Sequence, residues 1–519
     1  RKPTFDFCRS AVPSVDGEVP GYCIMYNMQN YQITSSLRVK SASYKPMLAA
    51  LLCGVFAGGF TAASTGLAGC NGSQISGNGT DDGGTGGNGD GGSGDGGSSG
   101  GDLGGQAGYC AGQGPPIQVT DSGGATRCSG QVAATAFRYA LCVCQGLSAS
   151  SSITTDAFDS SNSGASAFGT GGSVGVNGDI NTGLMTVGGT LQVAKSATQT
   201  QNLVTGVDLL TGSTLSDNQN VTVGRDATIN GDVKVNGTLK VTGTLTYPTG
   251  KTLTVGTSMV NKTVQQAQVT VAEPCDCAAN LLFDIAGYVT KAATNNDNAA
   301  IGLNPALLNN FQTDQTLNLT CGRFYLNNIN GSKKLTINVS GRTALFVGSD
   351  VNLNSDFNVV LSGNGELDLF INGGLTSSAP LHFGNKAAPA RVRLYMGGSR
   401  NINLAAGSEI DGNIYAPQSA LVTSGALEVF GAVFVNSFNP SNTVAIHHDI
   451  AILKAADSCT QPTGGGNPPP PASCSRCQDC GGQACKGGSC GACTSNADCC
   501  APLSCVTTGS GNKCVYVAG

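Results

Sequence analysis

Residues 221–255 read VTVGRDATINGDVKVNGTLKVTGTLTYPTGKTLTV, and an apolar residue returns every six positions: Val223, Ile229, Val235, Val241, Tyr247 and Leu253. A second series, Ala227, Val233, Leu239 and Leu245, keeps the same period, as do Gly231, Gly237 and Gly243, with Asn230 and Asn236 before the first two. Each unit is therefore apolar, polar, apolar, polar, Gly, polar. The triplet makes a short strand with two side chains on one face, and Asn-Gly supplies a corner with φ > 0. A β-meander with Asn-Gly hairpins competes. Its strands would be about four residues long, too short to hold a sheet. Three six-residue sides closing one coil explain the period better and make residues 18 apart stacked neighbours: Val223 over Val241, Ile229 over Tyr247, Val235 over Leu253. The expected fold class is all-β, a right-handed parallel β-helix or solenoid with a helical insertion, a disordered Gly-rich tether and a small disulfide-rich C-terminal module.

Outward from this stretch, hexads extend over 171–274. Between Cys275 and Phe311, the residues Leu281, Leu282, Ile285, Val289 and Ala292 sit at helical spacing, so 275–320 is read as a helical insertion or end cap. Alternation resumes in "LTINVSG", "ELDLFINGG" and "RVRLYMGG", giving a second solenoid part over 321–458. Residues 109–170 read as a small cysteine-containing helical segment, because Val132, Ala136, Phe137 and Ala140 follow helical spacing toward Cys142 and Cys144.

The flanks differ in composition. Arg38, Lys40 and Lys45 precede an apolar run from Met47 to Phe60 that ends in Leu67-Ala68-Gly69-Cys70, the layout of a secretory signal. The run lacks 18 consecutive strongly apolar residues, which argues against a permanent membrane span. Residues 1–69 are thus read as a signal region behind a non-native N-terminal extension, with Met25 or Met28 as alternative starts. Residues 70–108 are Gly, Ser, Asn and Asp with almost nothing apolar, a flexible tether. Calcium-binding nonapeptide repeats would need an apolar residue every nine positions, and this stretch has none. "QPTGGGNPPPPAS" within 459–473 is a Pro/Gly linker, and 474–519 is a disulfide-rich module too small to be stable through a core alone.

The Leu-Ala-Gly-Cys end resembles the lipobox of bacterial lipoproteins, which implies lipidation of Cys70 and a membrane partner reached through that anchor. Asn71 after it resembles the pattern sorted to the outer membrane. "CGRFYL" at Cys321, "GNIYAP" at Gly412, "FGAVFV" at Phe430 and "IHHDIAIL" at Ile446 resemble an uncharacterised β-solenoid domain of bacterial surface lipoproteins, some of which occur beside pilus-assembly proteins. The hexads resemble bactofilins, polymer-forming β-helices. Cys490-x2-Cys493-x5-Cys499-Cys500-x4-Cys505-x8-Cys514 resembles knottin-like spacing.

Composition restricts chemistry. The chain has 519 residues, 76 Gly, 11% charged residues, no Trp and net charge -5, with no basic run to serve nucleic acid. Its 22 cysteines together with an export signal point to an oxidising compartment. The disulfide candidates are Cys110, Cys128, Cys142, Cys144, Cys275, Cys277, Cys321, Cys459, Cys474, Cys477, Cys480, Cys485, Cys490, Cys493, Cys499, Cys500, Cys505 and Cys514. Zinc ligation by Cys474, Cys477 and Cys480 is the competing reading. By parity, Cys110, Cys128, Cys142 and Cys144 could close two bridges among themselves, and Cys459 is expected to pair with Cys275, Cys277 or Cys321.

No catalytic residue, metal ligand or cofactor emerges. In His447-His448-Asp449 the two imidazoles point to opposite sides of a strand, so they cannot share a metal. His382 stands alone between Leu381 and Phe383. Asp226 and Asp232 read as solvated turn residues on different faces. The expectation is a non-enzymatic outer-membrane or cell-surface lipoprotein, structural or adhesive, whose partners are the membrane, itself, or a surface polysaccharide or protein. Two alternatives stay open. A polysaccharide-active β-helix enzyme would cluster carboxylates on one outer face, and a binding or inhibitor protein would work through the cysteine-rich tail.

Overall fold

The computed structural model describes residue 110 and residues 118–120, 126–162, 169–458, 484–486, 489–499, 504–508 and 511–515. The signal region, Cys70, the tether, the Pro/Gly linker and Cys459, Cys474, Cys477, Cys480 and Cys500 lie outside them.

The hexads fold as their spacing demands. Three-residue strands such as Leu203–Thr205, Leu209–Thr211, Leu215–Asp217, Val221–Val223 and Ala227–Ile229 bury their first and third residues and turn the middle one outward. Each strand pairs in parallel with the one 18 residues on, Val221 with Leu239 and Val223 with Val241, so the body is a parallel β-solenoid with three strands to a coil. Val, Leu and Ile from successive coils fill the tube, and each fully buried side chain contributes about 1.5–3 kcal/mol. The register departs from the expected one at the end of the run. Val235 faces Val255 rather than Leu253, because the turn after Tyr247, with Gly250 at φ +84°, adds two residues to that coil.

The corners work differently from the expected φ > 0 turns. Among the described glycines, Gly231, Gly237 and Gly243 have no positive φ. They are glycine because stacked corners nearly touch: a Cβ on Gly237 would lie 2.3 Å from the carbonyl oxygen of Gln219. Asp and Asn at the corners tie coil to coil. Asp226 Oδ1 accepts from the Thr244 N–H at 2.7 Å, Asp232 Oδ1 from the Thr252 N–H at 2.8 Å, and Asn220 Oδ1 from the Thr238 N–H at 2.8 Å.

Chain order and stacking order part company. The first coil, strands Leu141–Val143, Leu147–Ala149 and Ile153–Phe158, stands in the middle of the stack. On one side it pairs with Val174–Val176, Ile180–Thr182 and Met185–Val187, from which the hexads run outward to strand Leu253–Gln266. On the other side it meets Val433–Pro440 and Val444–Asp449, the last coil of the chain's second half. That half begins at the opposite end with Gln315–Leu319, Gly322–Leu326 and Ile329–Gly331 and winds back. Leu303, Leu308 and Phe311 pack onto its starting coil, and Phe311 bridges to Gly331.

A return segment, residues 267–314, connects the two ends along one face. There the outward residues Phe346, Phe370, Tyr395, Tyr415 and Phe434 follow one another in register across successive coils, with Phe370 4.9 Å from both Phe346 and Tyr395. The helices Ile285–Ala292 and Ser129–Ala136 cover this ladder, so a second apolar core forms outside the tube. The segment 109–170 is thus only partly helical. Its helix ends at Ala136, and Cys142 lies in a solenoid strand whose neighbours Leu141 and Val143 line the tube. The cysteine pairing follows from this placement and corrects the parity expectation. Cys142 bonds Cys275, Cys144 bonds Cys277 and Cys110 bonds Cys321, so none of these three pairs within its own cluster, and Cys275, Cys277 and Cys321 are not open to Cys459. In the tail, Cys493 bonds Cys505 and Cys499 bonds Cys514.

Several inward positions are polar, among them Thr182, Gln199, Thr205 and Thr211, and one, Asp217, is an acid. Asp217 is 1% exposed inside the tube, and its Oδ1 accepts from the Gln219 N–H at 2.6 Å while Oδ2 has no hydrogen-bond partner. Burial pushes its carboxyl up to about 6 against that hydrogen bond. A carboxyl raised above its unfolded value of about 3.9 binds more protons when folded, so it favours folding below pH 4 and progressively loses that advantage up to pH 6. Asp217→Asn is therefore expected to stabilise the chain by about 1–2 kcal/mol at pH 7 and by little at pH 4. Paired thermal melts of the two proteins at both pH values check this, and an equal gain at each would contradict it.

Candidate functional site

The face built from strands Leu381–Gly384, Ser408–Asp411, Leu427–Phe430, Val444–Asp449 and Ile153–Phe158 carries charge. Alternation turns Glu409 and Asp411 outward while Ser408 and Ile410 point into the tube. Parallel register then stacks His382, Glu409 and Glu428 in one row and Gly384, Asp411, Phe430, His447 and Asp156 in the next. These residues are far apart in sequence, yet rows of parallel strands lie only about 4.8 Å apart.

Lys386 reaches back over this cluster, with Nζ 2.7 Å from Glu409 Oε2 and 4.4 Å from the centre of the Phe430 ring. His447 Nδ1 lies 2.7 Å from Asp156 Oδ1 and Nε2 3.5 Å from Glu428 Oε1. Asp411 is 7% exposed, and its Oδ1 has no hydrogen-bond partner. Burial, reinforced by Glu409 and then Glu428, pushes its carboxyl up to about 7, against the opposing charge and main-chain N–H of Lys386. Asp411 forms one end of a shallow groove of about 350 Å³ that crosses the coils past Glu409, His382, Asn358 and Thr336.

Arg393, His448 and Asp449 hold the fold together. Arg393, buried beneath the covering elements, bonds Asp368 through Nε at 2.5 Å, donates from Nη1 to the Ala390 carbonyl at 2.9 Å and pairs with Glu366. His448 points the other way from His447, as strand geometry requires: it is fully buried, its Nε2 donates to the Phe137 carbonyl at 2.9 Å, and burial lowers its pKa. Asp449 accepts from the Ser160 hydroxyl at 2.6 Å and the Ala451 N–H at 3.1 Å. The three adjacent residues thus serve three separate environments. His382 lies exposed on the groove wall, and Asp226 and Asp232 bridge corners. Among the described residues the one convergence of three metal-type ligands is Cys493, Cys499 and Cys514, two of which are bonded to each other.

A third face has almost no charge. Its outward residues run in register as Asn330, Asn352, Thr376, Asn403 and Val422. Asn439 continues the row onto the middle coil, which adds Ser148, and Asn181, Thr198, Ser216, Lys234 and Thr254 complete it. Sequence reasoning found the two-residue alternation but not this row or the carboxylate cluster, because the register linking distant coils is set by the topology.

A family model described as a domain of unknown function, DUF7305, matches residues 273–454. The search among curated proteins found no match. Among solved structures, an ice binding protein from an Antarctic bacterium Flavobacteriaceae aligns at 12% identity, covering 61% of this chain and 98% of its own, with a TM-score of 0.14, too loose a superposition to transfer geometry. The DUF7305 match therefore takes in the return segment and the second half of the stack, and leaves out the hexads from which the solenoid is read.

Proposed function

We propose that this chain is an exported solenoid, lipid-anchored at Cys70 on the bacterial outer membrane or cell surface, that acts as a structural or adhesive element through its charge-poor face. The observation that carries this reading is the row from Asn330 to Thr254: twelve stacked positions hold one cation, Lys234, and no acid. Such a face repeats amide and hydroxyl groups about every 4.8 Å and suits a polymer with its own repeat, many weak contacts adding through multivalency. The disulfides fit an oxidising compartment outside the cytoplasm. The tail adds a bridged module at the far end of the chain, for which knottin-like binding is the corresponding proposal.

The test is retention of the purified full chain on insoluble polysaccharides, cellulose and chitin among them. Binding is expected, and a folded variant carrying Asn352→Glu, Thr376→Glu and Thr198→Glu should lose about tenfold or more. Undiminished binding by that variant would remove the face from the account. A second reading, a polysaccharide-active enzyme, draws on Glu409, Asp411 and Glu428 being clustered on one outer face, and release of soluble sugar from the same polymers would favour it.

A further inference from the structure

The carboxylates of the groove face are under-compensated. Asp411, Glu409 and Glu428 crowd together with Lys386 as the cation among them, and its ammonium is committed to Glu409 Oε2 at 2.7 Å. Asp411 is more than nine-tenths buried and lines the groove, and its Oδ1 has no hydrogen-bond donor. A buried carboxylate oxygen left without a donor is costly, and a cation entering from solvent relieves both that cost and the repulsion between the acids. His447, two coils from Asp411 along its row, faces Asp156 at 2.7 Å and Glu428 at 3.5 Å, so it bears on the Glu428 end of the cluster.

We propose that the Asp411 end of the groove is a divalent-cation site of the calcium type, with Asp411 and Glu409 as its carboxylate ligands. The donors are oxygens, the groove is open, and the described acids converge in no three-ligand cage, so water must complete the coordination. Calcium accepts six to eight oxygen ligands in irregular geometry, whereas magnesium demands a near-ideal octahedron. Two carboxylates and several waters place the affinity near the weak, extracellular end of the calcium range, about 10⁻⁴–10⁻³ M. Lys386 is a built-in competitor, because its ammonium must leave Glu409 for the ion to bind. Its side chain is about half exposed, which gives it somewhere to go.

The experiment is calorimetric titration of the purified full chain with calcium chloride, alongside Asp411→Asn and Lys386→Met. Binding in the stated range is expected for the natural chain, weakening about tenfold or more in Asp411→Asn and tightening severalfold in Lys386→Met. The natural chain failing to bind up to about 10 mM calcium overturns the proposal, as does an Asp411→Asn protein that binds equally well, which would put the ion elsewhere. If Asp411→Asn fails to fold, Lys386→Met decides, since that substitution leaves both carboxylates in place, and unchanged or weaker binding there also overturns it.

Discussion

Replacing all four of Cys142, Cys275, Cys144 and Cys277 by Ala is expected to cost roughly 7 kcal/mol of stability, whereas removing either bridge alone costs roughly 2 kcal/mol. The two bridges run side by side, each spanning 133 residues, and tie the return segment to the middle coil. With one intact, the large loop is still closed, and the second closes only a small ring. Loop entropy gives about 5 kcal/mol for the large closure and about 2 kcal/mol for the small one, so the loss is strongly non-additive. Guanidinium unfolding of the paired Cys→Ala variants measures it. Single losses that sum to the quadruple loss would show that the bridges do not restrain one loop.

The cysteines also mark how far the sequence could be read. Cys142-x-Cys144 and Cys275-x-Cys277 share one spacing, which in an extended strand turns both members of a pair to the same side. That signal was present, but the helical spacing of Val132, Ala136, Phe137 and Ala140 carried the helix reading across Ala140, where the backbone has already entered the tube. The hexads were legible because their period repeats within each 18-residue coil. The placement of the first coil between two later ones was not, because nothing local to Leu141–Phe158 says which distant strands will cover its edges.

Phe438→Ala is expected to cost about 3–5 kcal/mol and to weaken the joint between the two halves. Phe438 is fully buried in the tube and is the residue of its strand registered against Leu147, at the seam between the last coil and the first. Truncation there leaves a cavity bounded by strands nearly 300 residues apart in the chain, so little local adjustment can fill it. Loss of the seam should also split one cooperative unfolding transition into two, since each half retains its own coil-to-coil pairing. Calorimetry resolves this, and a single transition shifted only slightly would count against a structural seam at Phe438.

The charged cluster was hidden from sequence reasoning for a related reason. Glu409, Asp411 and Glu428 are separated by short intervals and read as ordinary alternating strand residues, while Asp156 lies more than 250 positions upstream. Only the parallel register brings His447 onto Asp156 and sets both beside Glu428. His448 was read correctly from strand geometry alone, because adjacent residues of a strand must face opposite ways whatever the fold around them.

The most direct test of the continuous stack is a cross-link over its seam. Ala445 and Thr154 are Cα partners on adjacent parallel strands and both point outward. Stacked strands lie about 4.8 Å apart, within the Cα range a disulfide accepts. An Ala445→Cys/Thr154→Cys chain should form that intramolecular bond, identified by peptide mass mapping, while Ala445→Cys/Thr186→Cys, one coil further on, should not. Absence of the first cross-link, or equal formation of both, would contradict the placement of the first coil between the two halves.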